Sequence, residues 1–453
     1  MKKNVLFIAY HFPPIGGSGV QRSLKYVKYL PINGYNPIVA TVKDGHNFAY
    51  DYGMLKEIPK EVKVYRSNSG EMLWLRDIVE KANNLLVKLK TPFIKNDGHS
   101  DDNKEKINVK YEDYETIKDK VFRYLEFNYY IPDTKIRWYK HAIKDIKSRI
   151  LKENTIDVIY STSAPYTDHL IAMEIKKRTN KPWVADFRDP WIGNDSIMSR
   201  YSNERIQKEK EMELEVVTLA DVVINVTEPI TNMYQKRYPQ FKEKFITITN
   251  GFDGGDKDSI TISNNKKFKI SYAGLLDSSR TPKSLILALE NISNKNPEIC
   301  EDLLVEFTGY VSDDLKSMIG SSKVANNINI NSYVEHKDIL NIMANSNINL
   351  IILPDIEESK GVFTGKIFDY ILAERPILGI MPEDGVAAKL INENNIGLAV
   401  NHNDIDKIEY FIVKEYKKYK NSIDVNTDSI KKCSQFDRRN LTKQLADVFD
   451  SLT

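Results

Sequence analysis

Apolar residues along this chain fall into two alternating patterns. Short β-branched runs give way to stretches with apolar residues three and four apart, and then the short runs return. That alternation predicts parallel strands joined by helical crossovers, an α/β architecture. A first series of strands is expected at 4–10, 36–42, 62–67, 156–161, 183–187, 222–226 and 245–249. A second is expected at 268–274, 304–309, 348–353, 377–381 and 397–400. Between them NGFDGGDKDSITISNNKK is rich in Gly, Asp, Ser and Asn and poor in apolar residues, so it reads as a linker. The expected organisation is a first Rossmann-like domain over 1–254, a linker over 255–266, a second over 267–430, and a helical segment over 431–453 packing back on the first.

The first series is interrupted between about residues 70 and 141. A helical pattern around Trp74 to Phe93 sets Leu73, Trp74, Ile78, Leu85, Leu86 and Leu89 against Lys81, Lys88, Lys90 and Lys95. Such a helix suits an anionic membrane surface, and equally a helix packing on its own domain. Insertions of this size usually carry specificity or contacts.

Length and charge narrow the classes. At 453 residues the chain exceeds one ordinary core, so two domains are expected. With 65 basic against 63 acidic residues the formal charge is only +2, and no global field argues for nucleic acid. Cys300 and Cys433 form no metal-ligand cluster and suit a reducing compartment. MKKNVLFIAYHFPP does not read as a signal peptide, and no window reaches the roughly 18 to 20 apolar residues that span a bilayer. A cytoplasmic protein is expected, with peripheral contact at the membrane face as an option.

The loops at the carboxyl ends of the expected strands carry the chemistry, because open parallel sheets bind ligands there. In HFPPIGGSGVQR, Gly16, Gly17 and Gly19 let backbone approach a ligand before a helix over about 20–30; a tight turn is the plain alternative. STSAPYTDHL places His169 near a helix amino terminus, where the neutral imidazole is favoured, although an isolated histidine is more often structural. VADFRDPW brings Asp186, Arg188 and Asp189 out of a strand, as substrate contacts or as a mutual ion pair. YAGLLDSSRTPK sets Arg280 and Lys283 at the entry of a helix, a diphosphate clamp or two solvated charges. YVEHKDIL places Val334 to meet a base through its backbone.

GVFTGKIFDYILAERP, residues 361–376, is the most informative stretch. Thr364 can cap a helix, Gly365 and Lys366 offer amides and an ammonium to phosphate, and Asp369 can accept two ribose hydroxyls. Ile367, Ile371 and Leu372 should face inward, and Pro376 should stop the helix. An ordinary capped surface helix would have the same pattern.

Together HFPPIGGSGVQR, STSAPYTDHL, VADFRDPW, TNGFD, YAGLL with Arg280 and Lys283, FTGY, YVEHKDIL and TGKIFDYILAERPIL resemble the retaining, nucleotide-sugar-dependent glycosyltransferases of family 4 over nearly the whole chain. The resemblance implies a GT-B fold, two Rossmann-like domains facing each other across a cleft. It implies a nucleoside diphosphate sugar held by Gly16, Gly17, Gly19, Gly274, Val334, Gly365, Lys366 and Asp369. Arg280 and Lys283 would stabilise the leaving diphosphate, with His169 orienting sugar or acceptor. Asp186, Arg188 and Asp189 would line the acceptor side, which takes a glycan or lipid-linked glycan in surface polysaccharide assembly. No metal or cofactor is implied. Many members carry a glutamate eight positions before the ribose-binding acid, where this chain has Gly361; Glu357 and Glu358 lie close enough to substitute. A GT-B nucleotide-sugar epimerase and a non-catalytic nucleotide-sugar-binding protein are the alternatives.

Overall fold

The computed structural model describes residues 2–45, 50–71, 127, 129–193, 198–263, 266–332, 334, 336–423 and 426–453. The expected helix at 74–93 and its lysines lie outside them. Thirteen described strands run in chain order: β1 (Lys3–Ile8), β2 (Tyr35–Val42), β3 (Lys63–Ser67), β4 (Val158–Ser163), β5 (Trp183–Phe187), β6 (Val222–Asn225), β7 (Phe245–Thr247), β8 (Phe268–Ala273), β9 (Leu303–Thr308), β10 (Ile328–Asn331), β11 (Ile348–Ile352), β12 (Ile377–Ile380) and β13 (Gly397–Val400). They form a seven-stranded sheet in the order β3-β2-β1-β4-β5-β6-β7 and a six-stranded sheet in the order β10-β9-β8-β11-β12-β13. Ladders such as Val5 opposite Val158 and Ile270 opposite Val305 are parallel.

The helices that matter below are α1 (Ser18–Tyr29), α2 (Trp138–Asp145), α3 (Thr167–Thr179), α4 (Asn203–Leu219), α5 (Lys283–Lys295), α6 (Lys366–Ala373), α7 (Ile405–Lys420) and α8 (Arg438–Leu452). Strands buried on both faces explain the near-continuous apolar runs. In β11, Ile348, Leu350 and Ile352 enter the core that α5 and α7 cover, while Ile351 faces the core built around α6.

The chain divides into two compact units: residues 3–20 with 37–221, and residues 1–2 with 21–36 and 222–453. Both units are therefore discontinuous in sequence. Within the second, α8 packs on the turn Leu30–Asn33 that follows α1, and Phe449 meets Tyr35 edge-on at 5.2 Å.

Three local differences from expectation have physical causes. The edge strand β10 escapes the pattern because its ININ alternates apolar with polar residues and buries little beyond Ile328. The start of the expected linker is instead a 3-10 turn, Gly254–Ser259, anchored by Asp253. Asp253 is buried and paired with Lys25 at 2.8 Å and Lys28 at 3.0 Å, and accepts the Tyr29 hydroxyl at 2.7 Å. Burial pushes its carboxyl up, but the bonds and charges from Lys25, Tyr29 and Lys28 win and hold it well below the usual range. Helix α6 ends at Ala373, with Glu374 left-handed at φ 51°, before Pro376 itself. Pro376 disfavours helical geometry at the residue preceding it, so its influence arrives early.

Candidate functional site

In the unit of residues 222–453 the site grows from the carboxyl end of β8. Gly274 has φ 139°, and a Cβ there would lie 1.9 Å from Lys366 Nζ, so only glycine leaves room for the ammonium. Lys366 opens α6 and holds Nζ 4.7 Å from the centre of the Tyr272 ring. Tyr272 is fixed in turn, its hydroxyl donating to Leu275 O at 2.7 Å. Gly309, at φ 126°, closes on Gly274 from β9; a Cβ there would come within 2.3 Å of the Gly274 carbonyl.

Helix α6 is held by its buried face, with Ile367 and Ile371 fully buried and Leu372 nearly so, as the pattern predicts. Its amino end is left open: Gly365 is exposed, and among the described residues no atom beyond its chain neighbours lies within 4 Å of where its Cβ would be. The Thr364 hydroxyl accepts the Lys366 amide at 3.4 Å, a long bond that makes Thr364 a weak cap. Burial lowers the Lys366 ammonium to about 8, with Arg280 adding to the shift and Asp369 opposing it. Arg280 and Asp369 therefore both lie within electrostatic reach of Lys366.

The loop carrying Arg280 is shaped by Asp277, whose Oδ1 accepts the amides of Ser279 at 2.9 Å and Arg280 at 3.0 Å. Arg280 Nη1 stands 3.8 Å from Asp277 Oδ2. Lys283 is exposed at the first residue of α5, and Val334 is half-buried just beyond β10. The Gly361 carbonyl accepts the Thr227 hydroxyl at 2.7 Å. Glu357 is exposed and paired with Lys360 at 2.7 Å, while Glu358 is exposed, so neither carboxylate is drawn inward as a shifted loop would require.

In the unit of residues 3–20 and 37–221, Arg188 is the organising side chain. Its guanidinium donates to Gly19 O, to Ser163 O and, at 2.7 Å, to Ala164 O. It thus clasps the glycine loop to the loop after β4. Gly17 is left-handed at φ 98°, and a Cβ on Gly19 would lie 3.2 Å from Arg188 Nη1. The mutual ion pair that was one of the two readings of DFRDPW is not among the described contacts; Arg188 binds carbonyls, and Asp189 is exposed.

His169, expected to orient sugar or acceptor, and Asp186, expected on the acceptor side, are both completely buried. Their neighbours account for that burial. Trp183 Nε1 donates to Ser161 Oγ at 2.9 Å, leaving the serine hydroxyl hydrogen for His169 Nδ1 at 2.8 Å. That pattern puts the imidazole proton on Nε2, an atom without a hydrogen-bond partner among the described residues. Burial lowers His169 to about 3, against the nearby Asp186 carboxylate, and the ring stacks on Phe187 at 4.6 Å. Asp186 accepts the Tyr160 hydroxyl at 2.5 Å and that of Thr162 at 3.2 Å.

Several residues at this sheet edge were given no role from the sequence. Asp168 Oδ2 accepts the Tyr10 amide at 2.9 Å and so fixes the start of the HFPP loop. Asp133 accepts the amide and hydroxyl of Thr167 at 2.9 and 2.8 Å, capping α3 from 34 residues away. Lys135 Nζ donates to Glu71 at 2.8 Å, which also accepts the Tyr10 hydroxyl at 2.7 Å. Burial lowers His11 to about 4, with Arg188 and then Lys135 adding to the effect. The only signal in the sequence was proximity of His11 to the glycine loop; the others depend on long-range contact.

No protein family profile and no curated protein matches the chain. Solved structures do. It aligns over 100% of its length with 98% of a glycosyltransferase from Rickettsia africae, at 14% identity and TM-score 0.59. An Escherichia coli trehalose-6-phosphate protein bound with UDP-2-fluoro glucose aligns over 100% of both chains, at 11% identity and TM-score 0.60. A point mutant of S. aureus TarM, in complex with fondaparinux, alpha-GlcNAc-glycerol and UDP, aligns over 99% of this chain and 100% of its own, at 11% identity and TM-score 0.56. The fold of this chain is the two-domain α/β architecture of the GT-B glycosyltransferases.

Proposed function

We propose that the chain is a retaining glycosyltransferase of family 4, moving a hexose from a nucleoside diphosphate sugar to a glycan or lipid-linked glycan acceptor in surface polysaccharide assembly. The observation that carries this reading is the Lys366 ammonium, seated against Gly274 at the open end of α6 with Arg280 in electrostatic reach. Two cations beside a weakly capped helix amino terminus are costly to assemble unless an anion offsets them. A diphosphate fits that need, and its departure is the step at which such charges are worth most. Asp369 is the acid for the ribose, and Lys283 a second cation at the entry of α5. His169 acts as a positioning residue beneath Phe187, rather than by touching substrate. The reacting proton passes from the acceptor hydroxyl to the departing phosphate oxygen as the new glycosidic bond forms on the same face of the sugar.

The deciding experiment is a thermal-shift screen of nucleoside diphosphate sugars, followed by a search for transfer products with the stabilising donor. Retention is read from the anomeric coupling constant of the product. Stabilisation by a nucleotide sugar with transfer and retention is expected. Conversion of the donor to a different nucleotide sugar without transfer would establish an epimerase instead.

A further inference from the structure

We infer that Lys366 is a site of covalent modification: its amine takes an acyl group from a small acyl phosphate, which switches off the site it serves. The phosphate of such a reagent occupies the place assigned above to diphosphate, so the inference rests on that reading of the site.

The side chain is placed as an amine nucleophile must be. Lys366 is half-buried, and its Nζ lies in the niche that Gly274 leaves, 4.7 Å from the centre of the Tyr272 ring. Among the described residues no carboxylate forms an ion pair with it, whereas Lys360, six residues earlier, is paired with Glu357 at 2.7 Å and with Asp384 at 2.9 Å. A lysine desolvated beside apolar surface and left without a counter-charge is the form in which proteins use the amine as a nucleophile. The approach is open, because the adjoining Gly365 is exposed.

The groups facing the amine agree with this role. Burial, and after it Arg280, lowers the ammonium to about 8, and Asp369 opposes them only in part. Tyr272 stays a phenol, since burial pushes its hydroxyl up. Asp277 is engaged by the amides of Ser279 and Arg280. At pH 7 the lowering from 10.5 multiplies the neutral fraction of the amine roughly 300-fold, of which its lower basicity gives back a part.

In the reaction the Nζ lone pair attacks the carbonyl carbon of the acyl phosphate. The bond from that carbon to the bridging oxygen breaks, phosphate leaves with the electron pair, and the proton shed by the nitrogen ends on the phosphate. Charges placed to stabilise a leaving diphosphate serve a leaving phosphate equally. The product is an uncharged amide, and its acyl group does not fit a niche in which even a Cβ on Gly274 would lie 1.9 Å from Nζ. The acylated side chain therefore leaves the niche, and nucleoside diphosphate binding weakens by roughly tenfold or more, the loss of one charge-assisted contact.

The test incubates the full-length protein with acetyl phosphate at pH 7.5 and follows acetylation residue by residue by mass spectrometry. Lys366 should react about tenfold or more faster than Lys414, an exposed lysine on α7. Saturating inorganic phosphate should slow Lys366 and leave Lys414 unaffected. With N-acetoxysuccinimide, which carries no phosphate, the preference for Lys366 should shrink. Equal rates at the two lysines overturn the proposal, as does indifference of Lys366 to inorganic phosphate, or a preference just as large with the phosphate-free reagent. Calorimetry with nucleoside diphosphates reads the other question: a protein acetylated selectively at Lys366 that binds none of them keeps the modification site and loses the glycosyltransferase reading.

Discussion

Lys366→Met should have opposite effects on binding and on stability. In the free protein, burial lowers the Lys366 ammonium from 10.5 to about 8. At 1.36 kcal/mol per pH unit that is on the order of 3 kcal/mol against folding. Because the side chain is only half-buried, solvent screening reduces it to about 1 to 2 kcal/mol. The folded pKa lies below the unfolded one, so this cost is fully present below pH 8. It is relieved as pH rises from about 8 to 10.5, where the unfolded chain binds more protons. Methionine keeps the packing on Tyr272 without the charge, so the ligand-free variant should be more stable at pH 7 by that amount. Nucleoside diphosphate affinity should fall by about 1 to 3 kcal/mol, the worth of a charge-assisted contact. Urea unfolding and titration calorimetry measure the two effects separately. Wild-type affinity should also weaken above pH 8, by up to tenfold per unit, and the variant should be flat there. Unchanged affinity in the variant, or a stability that falls along with affinity, would refute the reasoning.

Gly274→Ala places a methyl 1.9 Å from Lys366 Nζ at a φ of 139°. It should therefore cost about 1 to 3 kcal/mol of stability and weaken nucleotide binding at least as much as losing the lysine, by calorimetry. Asp253→Asn removes one carboxylate from buried Lys25 while Asp256 stays paired with it at 3.1 Å, so unfolding should show a loss of about 1.5 to 3 kcal/mol, the worth of a hydrogen bond to a charged group. Wild-type stability should accordingly fall as pH drops below the ordinary 3.8 of that carboxyl toward its lower folded value. His169→Ala removes the ring stacked on Phe187, so turnover should fall while nucleoside diphosphate affinity stays near wild type; normal turnover would reduce the residue to packing.

Strands were legible because parallel sheets are buried on both faces and their runs stand out against polar loops. Pattern alone located β8 and β11, whereas β10 at the sheet edge, with asparagines at alternate positions, carried no such signal. The amino end of α6 was readable for a related reason. Gly365, Lys366 and Asp369 lie within about one helix turn, so local sequence nearly fixes their arrangement. The other unit was harder to read. Arg188 reaches across 169 residues to Gly19, and Asp133 caps a helix it does not belong to. His169 illustrates the opposite limit: its place after a strand is plain from the sequence, but its burial depends on Trp183, Phe187 and Ser161 closing over it.

The pairing of α1 with Asp253 also sets an order of events during synthesis. Lys28 precedes its partner by 225 residues, and Tyr35 precedes Asp450 by 415. At about 5 to 20 residues per second, roughly 10 to 45 s separate the emergence of Lys28 from that of Asp253. Through that interval the carboxyl half of α1, with Lys25 among its inward side chains, folds without the Asp253 carboxylate. The nascent chain must therefore keep an early helix waiting for a late partner, and a substitution at Asp253 would be felt first in folding yield on the ribosome.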